Sequence, residues 1–325
     1  MKYWLRILPA VLAAFLATAP IGPAHSADSY PSKPITLVAV FGPGSASDTI
    51  CRVIAQPLSI ALNENVIVEN RPGANGALAA QYVARSAPDG YTLLMATNSP
   101  LSAVPFMMKS PPYDAVKDFT PITRMGSFTL MLVVHPSIPA TNMKELIEYA
   151  KDHPGKLSFA SANTSGIVAG ETLKRTAKID ITSVPYKGGA QAVADMLGGH
   201  IQMNFGTTAT LLALIKQGKL RALAVTKDTR LAEIPDVATM AESGFPNLTL
   251  RYWNALWAPP HTPTSIVEKL NTEVITVLKS PEFTANMAKA GFEPMPMDVK
   301  TVTSFIASES PKALVVAKTS GVKGD

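Results

Sequence analysis

The chain reads as an α/β protein built from two lobes, and three observations carry that expectation. Short apolar runs of strand length alternate with helical stretches along most of the chain. Gly- and Pro-containing turns separate them, as at Gly42-Pro43-Gly44, Arg71-Pro72-Gly73 and Pro88-Asp89-Gly90. After residue 251 the alternation gives way to one extended run and then helices. Uninterrupted apolar runs, rather than an apolar–polar alternation, mark strands covered on both faces, as in parallel sheets with crossover helices.

Taken in order, Pro34–Phe41 is the first strand-length run and Asp48–Leu62 the first helix, with Ile50, Val53, Ile54, Leu58 and Leu62 on one side. A strand at Asn65–Glu69, a helix at Ala77–Arg85 and a strand at Tyr91–Ala96 complete the first unit. Further strands are expected at Leu130–Val134, Leu157–Ala160, Ile181–Pro185, Ile201–Phe205 and Leu220–Val225. Helices at Met143–Lys151, Gly166–Thr176, Ala190–Leu197 and Thr208–Gln217 lie between and beside them. Arg251–Ala258 is extended, and Pro263–Leu278 and Pro281–Ala290 are helical. Val299–Lys318 is helical too, with Pro311 expected to break or kink it. This order suits a discontinuous first lobe, residues 28–122 plus 251–325, and a second lobe of residues 123–250. The chain would cross near Thr123–Leu132 and return along Tyr252–Ala258. A single doubly wound sheet satisfies the same periodicity.

Residues 1–27 read as an export signal. Lys2 and Arg6 precede an uncharged, mostly apolar run from Ile7 to Ala19, and small residues around Ser26 and Ala27 suit cleavage. That run is shorter than the ~20 apolar residues a bilayer-spanning helix needs. An exported, periplasmic protein is expected.

Composition narrows the chemistry. The 325 residues carry 29 Lys+Arg against 24 Asp+Glu, a net charge of +5, but the basic residues are scattered singly. No basic stripe with interleaved aromatics exists for a nucleic acid. One cysteine, Cys51, excludes an intramolecular disulfide and a cysteine-based zinc site, and reads as a small apolar residue on a helix face. The five histidines, at 25, 135, 153, 200 and 261, stand at no ligand spacing. Neither a P-loop nor a Gly-x-Ser-x-Gly elbow is present, so no metal, cofactor or catalytic triad is expected.

Two strand-to-helix loops are the candidate site. The first, Phe41-Gly42-Pro43-Gly44-Ser45-Ala46-Ser47-Asp48, offers small residues, with Ser47 or Asp48 as the helix cap; the second is Ala160-Ser161-Ala162-Asn163-Thr164-Ser165-Gly166. Facing each other across a cleft, they would hold an anion with backbone N–H groups, helix dipoles and hydroxyls. Each alone is also an ordinary capped turn. Tyr186-Lys187-Gly188-Gly189 offers a third wall, unless Lys187 points into water. Thr97-Asn98-Ser99 and Gly206-Thr207-Thr208 are polar rims at strand ends. Tyr252 and Trp253, on the returning strand, either cover a ligand or fill the core between lobes.

Seven segments, in order, resemble one family. They are Tyr30–Ile35, Val68–Ala74, Ala87–Leu94, Tyr113-Asp114 to Pro121-Ile122, Val184–Gly188, Gly218–Thr226 and Ile234–Val237. On them the chain resembles the Bug-type (TctC-like) extracytoplasmic solute receptors of tripartite tricarboxylate transporters. The resemblance implies a type 2 periplasmic-binding-protein fold, with a ligand carboxylate held by backbone N–H groups and hydroxyls. By position it places Phe41, Ser45, Ala46, Ser47 and Asp48 on one side, and Ser161, Thr164, Ser165 and Tyr186 on the other. Ala162, Asn98, Thr207 and Tyr252 complete the expected ligand-binding set. Three departures stand out: Ser45-Ala46 where the family carries more glycine, a shorter second loop with Ile167 in place of a common histidine, and Ala313 in place of a usual tryptophan. The implied function is a monomeric receptor that closes over a small organic carboxylate, a di- or tricarboxylate, amino acid or aromatic acid, and hands it to membrane transporter subunits. Presentation of the same ligand to a sensor protein, or an exported enzyme on the same fold, are the alternatives.

Overall fold

The computed structural model describes residues 30–104, 108–250 and 252–320. The expected export segment, residues 1–27, lies outside the described residues. The chain forms two separate sheets, each between helices. In the first sheet β1 (Ile35–Ala39) pairs in parallel with β2 (Val66–Asn70) and β3 (Thr92–Thr97). Beside β3, antiparallel, runs β10 (Tyr252–Ala258), followed by β4 (Thr120–Phe128) and the edge strand β11 (Phe292–Pro294). The second sheet has the order β7 (Ile181–Pro185), β6 (Leu157–Ser161), β8 (Met203–Thr207), β5 (Leu130–Val134) and β9 (Arg221–Val225). There β6 pairs in parallel with β7 and β8, whereas β5 is antiparallel to both its neighbours.

β5 and β10, each antiparallel to both its neighbours, are the strands that follow a passage between lobes. β4 ends at Phe128 in the first sheet and β5 starts at Leu130 in the second, so a single residue, Thr129, separates them. The expected lobe boundary after residue 122 therefore falls inside β4. That strand escapes the periodicity because Pro121, Arg124 and Gly126 interrupt its apolar pattern, although Arg124 is buried with its guanidinium over the Phe305 ring. The return passage runs between β9 and β10. Thr226 ties the two passages together: its hydroxyl reaches the Leu130 carbonyl at 3.1 Å and the Leu250 carbonyl at 3.0 Å.

Nine α-helices are described: α1 (Ala46–Leu62), α2 (Ala77–Ala84), α3 (Met143–Asp152), α4 (Thr164–Ala177), α5 (Gly189–Leu197), α6 (Thr208–Lys216), α7 (Thr264–Lys279), α8 (Pro281–Ala288) and α9 (Val299–Ser320). On the first sheet, one face buries Ile50, Cys51, Ile54 and Leu58 of α1 against Leu93, Leu256 and α7. Its other face buries Ala79, Ala80 and Val83 of α2 with Trp253, Trp257 and Val302. The second sheet is covered likewise, by α3 and α4 on one side and α5 and α6 on the other. Burial on both faces is why these strands read as unbroken apolar runs. Cys51 is fully buried in this packing, and that burial pushes its thiol above the ordinary range. α9 continues through Pro311 instead of breaking there. A proline withdraws one i→i−4 bond, and the turns on either side stay helical.

Candidate ligand-binding cleft

Helix α1 begins two residues earlier than its apolar pattern suggests, because Ser45 is the cap. The Asp48 N–H donates to Ser45 Oγ at 3.3 Å, which places Ser47 and Asp48 inside the first turn. α4 is capped by Asn163, whose Oδ1 accepts from the Gly166 N–H at 2.9 Å. α5 begins at Gly189 after Gly188, and α6 at Thr208 after Thr207, neither with a side-chain cap bond. The starts of all four helices converge on a narrow cavity of about 20 Å³, lined by Phe41, Ser45, Ala46, Ala162, Asn163, Gly189, Asn204, Gly206, Thr207, Thr210 and Tyr252. No lining residue carries a charge. The free N–H groups and partial positive ends of four helices nevertheless make the space favourable to an anion.

The lobes meet around this cavity. A Cβ built on Gly44, whose φ is +77°, would lie 3.6 Å from the Cβ of Ala190, so the first loop rests on the start of α5. Asn98 Nδ2 donates to Ser165 Oγ across the cleft at 3.2 Å. Thr208 Oγ1 donates to the Gly291 carbonyl at 3.0 Å, and Lys227 pairs with Glu293.

Of the residues expected at the site, Phe41, Ser45, Ala46, Ala162, Thr207 and Tyr252 line the cavity. Ser47 is fully buried behind Ser45, their hydroxyls 3.2 Å apart. Thr164, the first residue of α4, is buried, and its hydroxyl has no partner among the described residues. Ser161 ends β6, and its carbonyl accepts from the Tyr186 N–H at 3.1 Å. Asn98 and Ser165 bond one another between the lobes instead of lining the cavity.

Two expected residues are engaged elsewhere. The Asp48 carboxylate faces its own loop: Oδ2 accepts from the Gly44 N–H and from Arg52 Nε, each at 2.9 Å, and Oδ1 from Asn70 Nδ2 at 2.9 Å. Burial opposes its charge, but these donors outweigh it and hold its pKa below the ordinary carboxylate value. Tyr186 donates its hydroxyl to Asp195 at 2.8 Å, within the second lobe. Burial first, and then the hydrogen bond and charge of Asp195, push its pKa up to about 12. Lys187 is exposed and does not line the cavity.

Tyr252 and Trp253 part company, because successive residues of a strand face opposite sides. Tyr252 lines the cavity with its ring in the α1–α7 packing, whereas Trp253 is buried on the other face against Phe305. Asn163, Gly189 and Gly206, from the loops and rim expected at the site, line the cavity as well, and so do Asn204 and Thr210, which escape the sequence expectations. Asn204 leaves one signal in the sequence, a carboxamide inside the apolar strand Met203–Thr207.

Two lobes, each a helix-covered sheet, joined by two strand passages around an uncharged cleft, define a solute-binding protein of the type 2 periplasmic class. Comparison with known sequences gives the family: residues 50–322 match the model of the tripartite tricarboxylate transporter family receptor, TctC, and the chain belongs to that family. It is 34% identical over 319 residues to protein BugT of Bordetella pertussis, covering 97% of this chain and 98% of BugT. Among solved structures it resembles an R. palustris protein solved with adipate, at 32% identity and a TM-score of 0.86, covering 90% of this chain and 98% of that one. It also resembles MatC from Rhodopseudomonas palustris with bound malate, at 26% identity and a TM-score of 0.83, covering 89% and 100%.

Proposed function

We propose that this protein is a periplasmic receptor that closes its lobes over a small organic carboxylate and delivers it to the membrane subunits of a tripartite transporter. One observation carries the reading: four helix N-termini surround an interlobe cavity whose lining has no charged side chain. A carboxylate there gains hydrogen bonds to backbone N–H groups without the desolvation of a partner cation. Adipate and malate in the two solved relatives support the ligand class. Among the described residues no helix is long and apolar enough to cross a membrane. We take the first lobe as residues up to Phe128 together with those from Tyr252 onward, and the second as the segment between.

On this reading the residues that meet the carboxylate are Ser45 and Ala46 at the start of α1, Ala162 and Thr164 before and at the start of α4, and Thr207 before α6. Phe41 and Tyr252 wall the cavity. Asp48 acts indirectly, by shaping the first loop. Binding then biases a hinge equilibrium, because the ligand touches both lobes only when they are closed. The test is a thermal-melt screen of di- and tricarboxylates, amino acids and aromatic acids. A ligand present at 100 times its Kd should add about 2.7 kcal/mol of folded-state stability. If no acid raises the melting temperature or compacts the protein in solution scattering, the reading is wrong.

A further inference from the structure

Asn163 caps α4 and lines the cavity, yet the fold uses only one end of its carboxamide. Its backbone is extended, with φ −161° and ψ 162°, which turns the side chain back over the first helical turn. Oδ1 accepts from the Gly166 N–H at 2.9 Å. A Cβ on Gly166 would stand 3.6 Å from that oxygen and 2.9 Å from the Phe205 carbonyl, so Oδ1 sits on the inner side of the loop, toward β8. Nδ2 is the opposite end of the same planar group. It has no hydrogen-bond partner among the described residues. It also keeps access to solvent, whereas the neighbouring Thr164 hydroxyl is both unpaired and enclosed. Asn163 as a whole is only 8% exposed.

A free carboxamide can turn either end to a ligand, but this one is held. Presenting its carbonyl to the cavity would set the NH₂ group against the Gly166 N–H, donor against donor, and undo the cap. The other helix starts around the cavity offer nothing equivalent. α5 and α6 have no side-chain cap bond, and Ser45 Oγ already accepts from the Asp48 N–H and lies against Ser47 Oγ. We infer that Asn163 Nδ2 faces the cavity and donates a hydrogen bond to the ligand carboxylate, with the cap fixing which end of the side chain the ligand meets. The group seated against α4 must then be an acceptor. An ammonium placed there would meet only N–H donors, so an amino acid would bind with its ammonium turned away from α4. This inference rests on the receptor reading above and adds to it a side-chain contact and a ligand orientation.

Two substitutions keep a capping oxygen and change the donor. Asn163→Ser caps the helix with a shorter side chain that cannot reach where Nδ2 stands. Asn163→Asp keeps the shape and the cap but puts a negatively charged acceptor in place of the donor. Ligand-free, both should melt close to the parent, and the aspartate variant at or above it, because its charge suits a helix N-terminus. Parent and variants are titrated calorimetrically with succinate, malate, adipate, citrate, glutamate and benzoate. For the acid that the parent binds most tightly, Asn163→Ser should weaken binding about tenfold or more, and Asn163→Asp about 100-fold or more. If the serine variant melts well below the parent, Asn163→Thr, which also caps, takes its place. A folded, neutral capping variant that binds the acid within about twofold of the parent overturns the inference and leaves the receptor reading standing. That holds even where the aspartate variant fails to bind, since its charge repels an anion without contact. If the parent binds none of these acids, both readings fall.

Discussion

Asn98, one residue beyond β3 of the first lobe, and Ser165, in the first turn of α4 in the second, are hydrogen-bonded at 3.2 Å across the cleft. They stand 67 positions apart in sequence, and the bond ties one lobe to the other. It therefore contributes to the closed state and nothing to either lobe alone.

Asn98→Ala should accordingly shift the unliganded protein toward the open form and weaken ligand binding by about 2- to 10-fold, the net worth of one neutral hydrogen bond. Calorimetry gives the affinity, and small-angle scattering of the ligand-free variant gives the expansion. An unchanged affinity with unchanged dimensions would show that the bond has no part in closure.

Thr164 offers a cleaner separation of binding from folding. Its buried hydroxyl has no partner among the described residues, so Thr164→Val removes no hydrogen bond seen there and leaves the shape nearly intact. The melting temperature of the ligand-free variant should match the parent or exceed it. Affinity should fall by about tenfold if that hydroxyl meets the ligand. A stability loss with affinity intact would assign the hydroxyl a structural role.

Asp48 predicts a pH dependence. Its folded pKa lies below the ordinary value of 3.8, so the unfolded chain takes up its proton first as the pH falls. The stability it contributes is whole above about pH 5 and is lost progressively as the pH drops through 3.8 toward the lowered folded value. Asp48→Asn should flatten that part of the acid denaturation profile. At neutral pH it should also lower stability by about 1–3 kcal/mol, because the Gly44 N–H and the Arg52 guanidinium lose a charged acceptor. Urea unfolding of both proteins at pH 3.5 and pH 7 measures the two effects.

Gly170 reverses a familiar rule. Replacing a mid-helix glycine by alanine ordinarily stabilises by up to about 1 kcal/mol. Here a Cβ on Gly170 of α4 would stand 2.1 Å from Cε2 of the fully buried Phe159 ring on β6. Gly170→Ala should therefore destabilise by about 1–3 kcal/mol, as overpacking does. Urea denaturation decides the sign.

How much of the site is legible in advance follows from where its signals lie. Ser45, Ala46, Ala162 and Thr207 stand in or beside strand-to-helix loops, and such loops announce themselves by small and hydroxyl residues at strand ends. Asp48 stands in the same loop, but nothing local shows that Gly44, Arg52 and Asn70 will turn its carboxylate inward. Asn70 arrives from β2, and its contribution depends on β2 lying beside β1. Tyr186 is drawn to Asp195, which α5 carries back toward it.

The order of residues is enough for the α/β alternation and for the uncharged character of the binding loops, because period, turn chemistry and composition are local properties. The same order, through its matching segments, is enough for the family. It does not decide that β4 and β10 join the first sheet while β5 opens the second, since strand pairing is a long-range choice. Nor does it decide that Tyr252 faces the cavity and Trp253 the core, or that Asn204 reaches the cleft at all. Those outcomes depend on register: moving a strand by one residue exchanges its faces, and only the packed sheets hold each strand in place. The low charge of the sequence thus acquires its meaning in the tertiary structure, where four helix starts meet around one cavity and take the place of a cationic side chain.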